Sequence, residues 1–82
     1  MALDIKDTQD KVIAIIVENL HIDPSLVTMD ATLQNLGADS LALVEIIMKI
    51  EEECNIAIND EAVEKLQNVQ EVINYVHELR LL

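Results

Sequence analysis

Apolar residues recur at the spacing of an α-helix in three segments of this 82-residue chain. The first segment begins between Asp4 and Thr8, where several side chains are suited to cap a helix, and ends near Leu20, shortly before a proline. Its inward-facing residues are Ile5, Val12, Ile13, Ile16 and Leu20. Ile15 and Val17 lie outside this arc, so we expect them to be partly exposed.

The second segment runs roughly from Ser40 to Glu53, with Asp39 as its cap, and carries two apolar stripes instead of one. The core-facing stripe consists of Leu43, Ile46, Ile47, Ile50 and Cys54. The opposite stripe consists of Leu41, Val44 and Met48, with Glu45 and Glu52 at its flanks. A surface helix of a small domain needs only one apolar stripe to reach the core. The second stripe therefore needs its own explanation, and contact with the preceding loop is one.

Two further helices are predicted in the last third of the chain. Asp60 through Leu66 is expected to form one or two turns, with Asp60 as the cap. Asn68, followed three residues later by Glu71, is a capping-box-like start for the final helix. The core-facing residues of that helix are Val69, Val72, Ile73, Val76 and Leu79. The pattern predicts an all-α fold, a small bundle of three main helices plus one short helix, in a single domain over residues 1–82.

A long connection, residues 21–38, separates the first two helices, with a short turn predicted at residues 23–25. This length is unusual for a structureless loop in a compact domain, so we expect apolar side chains to pin it to the bundle. Those side chains are Leu26, Val27, Leu33 and Leu36. Gly37, the only glycine in the chain, indicates a positive backbone angle or the close approach of another group just before Ser40.

The chain is strongly acidic, since 16 acidic residues against 5 basic ones give a net charge of −11. This charge excludes binding to nucleic acid, which requires a basic surface, and it favours protein partners with basic surfaces. The single cysteine excludes an internal disulfide and fits a reducing compartment. No stretch approaches the roughly 20 apolar residues of a membrane span, and the first residues contain no apolar run of signal-peptide length. We therefore expect a cytoplasmic protein, and a monomer.

No catalytic constellation assembles from the sequence. His21 and His77 have no nucleophile at a meaningful spacing, and Cys54 has no basic neighbour in sequence that would lower the pKa of its thiol. No His and Cys residues have metal-ligand spacing, and the acidic run 51–53 lacks the alternating ligands of a calcium loop. We therefore expect that the chain is not an enzyme and has no metal site.

Ser40 differs from these residues because it lies in the first turn of a predicted helix. Free backbone amides and the helix dipole favour a negative group at this position. A phosphate ester on the Ser40 hydroxyl would therefore be stabilised. Taken alone, however, the position is explained equally well by a serine that simply begins a helix.

Four segments place this serine in a wider pattern: GADSL, VEIIMKIEEE, INDEAVEKL and VQEVINYV. Together, at this spacing, they resemble bacterial acyl carrier proteins over nearly the whole chain. The family's Asp-Ser-Leu motif falls on Asp39, Ser40 and Leu41. The resemblance implies that a phosphopantetheinyl transferase moves 4′-phosphopantetheine from coenzyme A to Ser40. Acyl groups are then held as thioesters on the thiol of that arm and not on Cys54. The implied bundle opens its core to shelter the acyl chain.

The resemblance also implies a use for the second apolar stripe. In carriers of this type, partner enzymes recognise the second helix through basic patches beside the prosthetic-group serine. Carried over to this chain, the recognition residues are Leu41, Val44, Glu45, Met48, Glu51 and Glu52. The implied function is that of a freestanding acyl carrier protein, which presents acyl intermediates to the enzymes of fatty acid synthesis and performs no chemistry itself.

The chain departs from the family's common pattern at four positions. Ala42 stands where an acid is common, Asn59 replaces a proline, Cys54 replaces an aromatic residue and His21 replaces a glycine at a helix end. Because Ala42 removes a charge from the recognition surface, a specialised carrier for a polyketide or another dedicated acyl-transfer pathway is an alternative. A further alternative is an acidic helical interaction module without a prosthetic group, which binds a partner through the same stripe.

Overall fold

The computed structural model describes residues 3–82. It contains four α-helices: α1 (Ile5–Leu20), α2 (Ser40–Cys54), α3 (Asp60–Lys65) and α4 (Val69–Leu81). A 3-10 helix, Pro24–Leu26, lies in the connection between α1 and α2, and residues 3–82 contain no β-strand. The prediction of an all-α fold with three main helices and one short helix is confirmed.

Each α-helix begins at an Asp or Asn whose side chain accepts a first-turn amide, which would otherwise lack a partner. These caps are Asp4, Asp39, Asn59 and Asn68. The expectation that Asp60 caps α3 is wrong, because Asn59, one residue earlier, accepts the amide of Glu61 at 2.8 Å. Asp60 becomes the first helical residue instead, where its carboxylate is favoured by the helix dipole.

The start of α4 differs from an ordinary capping box in one hydrogen bond. Asn68 accepts the amide of Glu71 at 2.9 Å, as predicted. The Glu71 carboxylate, however, accepts the amide of Gln67, the residue before the cap, at 3.0 Å. The backbone amides of Gln67 and Glu71 therefore both have acceptors, and these two hydrogen bonds hold the chain where it enters α4.

The core lies where α1 packs against both α2 and α4. Its fully buried apolar side chains are aliphatic: Val12, Ile16, Ile46, Ile50, Val69, Ile73 and Val76. Because α1 has a helix on two sides, its buried arc is wider than a single helix contact requires. Ile15 is accordingly only 3% exposed, so the expectation of partial exposure is wrong for Ile15, whereas Val17 is half-buried as expected. Ile5, expected inside, is exposed at the free end of α1.

Backbone hydrogen bonds tie the long connection to the bundle. The first amides of α4, those of Val69 and Gln70, donate to the carbonyl oxygens of Ala31 and Met29 at 2.9 and 3.0 Å. These bonds give partners to two amides that a helix start leaves free. Three of the four expected apolar anchors also pack on the core: Val27, Leu33 and Leu36. Leu26 was expected to do the same but is more than half exposed, because it ends the surface 3-10 helix.

A polar network joins the start of α1 to the end of α4. The Thr8 side chain is fully buried, and its hydroxyl oxygen lies 2.9 Å from Nδ1 of His77. Arg80 donates to the same hydroxyl oxygen at 2.8 Å and forms an ion pair with Asp7 at 3.0 Å. The buried hydroxyl is therefore fully partnered, as a buried polar group must be to avoid a large cost.

His21 ends α1 with a left-handed φ of 55°. Such an angle costs a non-glycine residue about 1–2 kcal/mol, whereas glycine loses about 0.5–1 kcal/mol of additional backbone entropy on folding. We therefore expect His21→Gly to raise the free energy of unfolding by a net of about 0.5–1 kcal/mol, measured by urea denaturation.

Asn55, which ends α2 with the same φ of 55°, provides the matched control. Asparagine tolerates the left-handed region better than histidine. Asn55→Gly should therefore gain less stability. A His21→Gly variant that is no more stable than wild type, or that gains no more than Asn55→Gly, would show that the αL angle at residue 21 carries no strain.

Candidate functional site

Ser40 is the first residue of α2, and its side chain is exposed. The Asp39 carboxylate accepts the amide of Ala42 at 2.8 Å, and the Asp39 carbonyl oxygen accepts the amide of Leu43 at 2.9 Å. The amides of Ser40 and Leu41 donate to no acceptor within residues 3–82. The exposed hydroxyl therefore stands beside two free amides at the positive end of a helix, a setting that favours an anionic ester.

The turn before Ser40 sets the direction in which the chain enters α2. The amide of Gly37 donates to the carbonyl oxygen of Gln34 at 3.0 Å, and that of Ala38 to the carbonyl oxygen of Leu33 at 2.9 Å. Gly37 has a φ of 101°, the left-handed region that favours glycine, which confirms the predicted positive angle. Apart from the adjacent residues of the chain, no atom of the described structure lies within 4 Å of the position a Cβ would occupy. The backbone angle, and not crowding within the chain, is therefore what calls for glycine here.

The two apolar stripes of α2 occupy opposite environments. The core-facing stripe is buried at Ile46, Ile47 and Ile50. The second stripe is in water, with exposures of 68% for Leu41, 54% for Val44 and 61% for Met48. The explanation that this stripe contacts the preceding loop is not supported, since all three side chains are more than half exposed. An exposed row of apolar side chains on one helix is the kind of surface that meets a partner.

The carboxylates of α2 fall into two groups. Those of Glu45 and Glu52 are exposed beside the second stripe, and Glu45 accepts a long hydrogen bond of 3.4 Å from the side-chain amide of Asn19. Glu51 is half-buried, and its Oε2 accepts the amide of Ile58 at 2.9 Å. Glu51 therefore supports the loop between α2 and α3. Helical periodicity could not reveal this contact, because it spans seven residues across a helix end.

A cavity of about 350 Å³ opens between α2, the α3 region, α4 and the long connection. Its apolar lining consists of Leu33, Leu43, Ile47, Val63, Leu66 and Val72. Leu43 lies one helical turn after Ser40, so the cavity begins close to the exposed hydroxyl. Helical periodicity does not predict this cavity, since its lining depends on where the short helix α3 packs.

The remaining reactive side chains are in positions that do not favour chemistry. Burial raises the pKa of the Cys54 thiol in spite of the opposing charges of Arg80 and Lys11, so little nucleophilic thiolate is present at neutral pH. His77 contacts the buried Thr8, and His21 is an exposed helix cap. Within residues 3–82, no group of three or more His, Cys, Asp and Glu side chains is placed to hold a metal ion.

Comparison with known proteins agrees with a site for an anionic ester at Ser40. Residues 10–76 match the family model described as "Phosphopantetheine attachment site". The chain is also 45% identical over 74 residues to the acyl carrier protein of Campylobacter jejuni strain RM1221, an alignment that covers 89% of this chain and 96% of that relative. The chain belongs to the phosphopantetheine-bearing acyl carrier protein family, which confirms the resemblance noted in the sequence.

Phosphopantetheine is the cofactor of this family, and the residues present fit it. A hydroxyl in water can form the phosphodiester, two free amides can face its charge, and an apolar cavity lies within a helical turn. In the part of the chain that the structure describes, none of the helices has the length and apolar character needed to cross a membrane.

The hydrogen bond of Glu51 can be tested against a neighbouring acid in the same helical turn. Glu51→Ala leaves the amide of buried Ile58 without a partner, which should lower the free energy of unfolding by about 1–2 kcal/mol in urea denaturation. Glu53→Ala removes the same charge from an exposed position and should cost at most about 0.5 kcal/mol. Equal effects of the two substitutions would mean that the contact with Ile58 contributes nothing beyond the charge.

Proposed function

We propose that Ser40 is the residue that bears phosphopantetheine, and that residues 1–82 form a single carrier domain which presents acyl intermediates to the enzymes of fatty acid synthesis. The observation that carries the site assignment is the exposed Ser40 hydroxyl at the start of α2, beside two amides without protein partners. The only other serine, Ser25, lies in a three-residue 3-10 helix, and its amide is already bound to Asp23 at 2.9 Å.

Ser40 acquires the group by phosphoryl transfer from coenzyme A, with a phosphopantetheinyl transferase as the catalyst. The Ser40 oxygen forms a bond to phosphorus as the pyrophosphate P–O bond of coenzyme A breaks. The hydroxyl proton passes to a base of the transferase, and adenosine 3′,5′-bisphosphate leaves. The free amides of Ser40 and Leu41 and the dipole of α2 then stabilise the phosphodiester by about 0.3–1 kcal/mol.

The group, once attached, supplies a thiol that holds an acyl chain as a thioester. The residues of the chain itself hold the attachment point in place and offer apolar surface to the acyl chain. The rigid start of α2 fixes the attachment point through Asp39 and Gly37. The cavity lined by Leu43, Ile47 and Val63 offers apolar surface to the acyl chain. Cys54 is not the acylated thiol in this proposal, because burial raises its pKa.

The recognition surface for partner enzymes is the outer face of α2. Its proposed residues are Leu41, Val44, Glu45, Met48, Glu51 and Glu52. The apolar members are exposed and supply area that a partner can bury, and the acids meet basic side chains of the transferase or of acyl-handling enzymes. One Glu51 oxygen is taken by Ile58, so this residue offers a partner only its other oxygen. The net charge of −11 speeds the encounter with a basic partner.

The pathway and the compartment are also proposals. Fatty acid synthesis in the cytoplasm is the first candidate, supported by the acyl carrier relative and by a lone, half-buried cysteine that suits a reducing compartment. A polyketide or other dedicated acyl-transfer pathway is favoured by one feature of the sequence, Ala42 at the position where an acid is common in the family. In the structure Ala42 is half-buried and packs against the core. In either pathway the chain presents the substrate, and its partners catalyse.

Serine substitution tests the attachment site. Each variant is incubated with coenzyme A and a broad-specificity phosphopantetheinyl transferase, and the intact mass is measured. Wild type and Ser25→Ala should gain one phosphopantetheinyl group, whereas Ser40→Ala should gain none. Modification of Ser40→Ala would refute the site. A wild type that stays unmodified would instead favour the interaction module without a prosthetic group.

Charge reversal tests the recognition surface. Glu45→Lys should weaken binding to the transferase about ten-fold or more at low ionic strength, because it places a cation against a basic patch. Glu78→Lys makes the same charge change on an exposed residue of α4 and should weaken binding much less. Equal losses for both variants would show that only net charge matters, and circular dichroism checks that both remain folded.

A further inference from the structure

A shallow groove lies between α1 and α2, beside the second apolar stripe. Its lining residues are Ile15, Glu18, Asn19, Glu45 and Lys49, which together we call the α1–α2 groove, and its volume is about 260 Å³. Ile15 forms the buried apolar floor, and Glu18, Glu45 and Lys49 are exposed at the walls. The groove therefore combines carboxylates, an amide and a single cation over an apolar base.

Lys49 makes the part of α2 that lines this groove less acidic than the chain as a whole. It is the only basic residue of α2, and residues 40–50 carry one acid, Glu45, and one base, Lys49, so their net charge is zero. The whole chain carries −11. The acids of α2 beyond Glu45 are confined to residues 51–53. The part of α2 nearest Ser40 is thus neutral and contains both signs.

The Lys49 side chain is also available to a partner. A lysine four residues after a glutamate is well placed for an ion pair along a helix, yet Lys49 forms no ion pair with any of residues 3–82. The Glu45 carboxylate instead accepts the long hydrogen bond from Asn19. The exposed ammonium group of Lys49 therefore lines the groove without a bound carboxylate from any of residues 3–82.

We infer that the α1–α2 groove extends the recognition surface onto α1, and that Lys49 selects partner enzymes that place a carboxylate among the basic residues of their docking patch. A wholly basic patch meets like charge at Lys49, which is unfavourable where the two surfaces exclude water. A patch with one acid opposite Lys49 and a base opposite Glu45 pairs both charges. This inference rests on the proposed carrier function, since it concerns the partners of that same site.

The test measures binding of the unmodified chain to several forms of a phosphopantetheinyl transferase. One form has a wholly basic docking patch, and the others are its single Lys→Glu or Arg→Glu patch variants. Lys49→Glu should bind the wholly basic form about five- to ten-fold more tightly than wild type does. At least one patch variant should show the reverse preference and bind wild type more tightly than Lys49→Glu.

Lys6→Glu is the matched control, because it makes the same charge change at an exposed position near the other end of α1. It should change each affinity less than two-fold, and Lys49→Arg should behave as wild type. The inference is overturned if Lys6→Glu strengthens binding as much as Lys49→Glu does, or if Lys49→Glu has no effect. Binding is measured on the chain without its prosthetic group. The outcome of this experiment therefore does not depend on the intact-mass measurement that tests Ser40.

Discussion

A small bundle can bury only one side of α2, and the rest of the structure follows from this constraint. α1 packs against α2 and α4, and the aliphatic side chains between them fill the core. Within residues 3–82 no element covers the far side of α2, so Leu41, Val44 and Met48 are more than half exposed although they are apolar. Full burial of such a side chain contributes about 1.5–3 kcal/mol relative to full exposure, so leaving each of them more than half exposed forgoes part of that energy. The docking of partner enzymes on α2, as proposed above, would bury this apolar row.

The position of Ser40 is set by a helix cap and a turn rather than by packing in the core. Asp39 caps α2, and Gly37 turns the chain into it with a left-handed angle. The connection that carries both residues is held by two backbone bonds from the start of α4. Ser40 is thereby fixed at the edge of a rigid element while its hydroxyl remains in water. This combination suits a residue that must be modified by one enzyme and then presented to others.

The helices and the second stripe of α2 could be predicted from the sequence because helical periodicity and short-range capping are local properties. The errors arise where tertiary packing decides. Ile15 is buried because α1 has neighbours on two sides, which no single-helix pattern reveals. Leu26 is exposed because it ends a surface turn. The hydrogen bond from Ile58 to Glu51 crosses a helix end, beyond the reach of periodicity.

The assignment proposed for Ser40 combines the local structure at the start of α2 with the family match. The start of a helix favours a phosphate at Ser40, as it would at any serine in that position. The family match adds phosphopantetheine as the group, and its attachment to Ser40 is the proposal made above. Lys49 is the one basic residue of α2, and its bearing on the choice of partner is part of the proposal made above.

The central claim is that a single hydroxyl, that of Ser40, carries the prosthetic group. Fragment-ion mass spectrometry of the modified wild-type chain tests it most directly, because it locates the group without any substitution. We predict that amino-terminal fragments ending at residue 39 are unmodified and that those including residue 40 carry the full added mass. Added mass on fragments that contain Ser25 but not Ser40, or on those that first include Cys54, would contradict it.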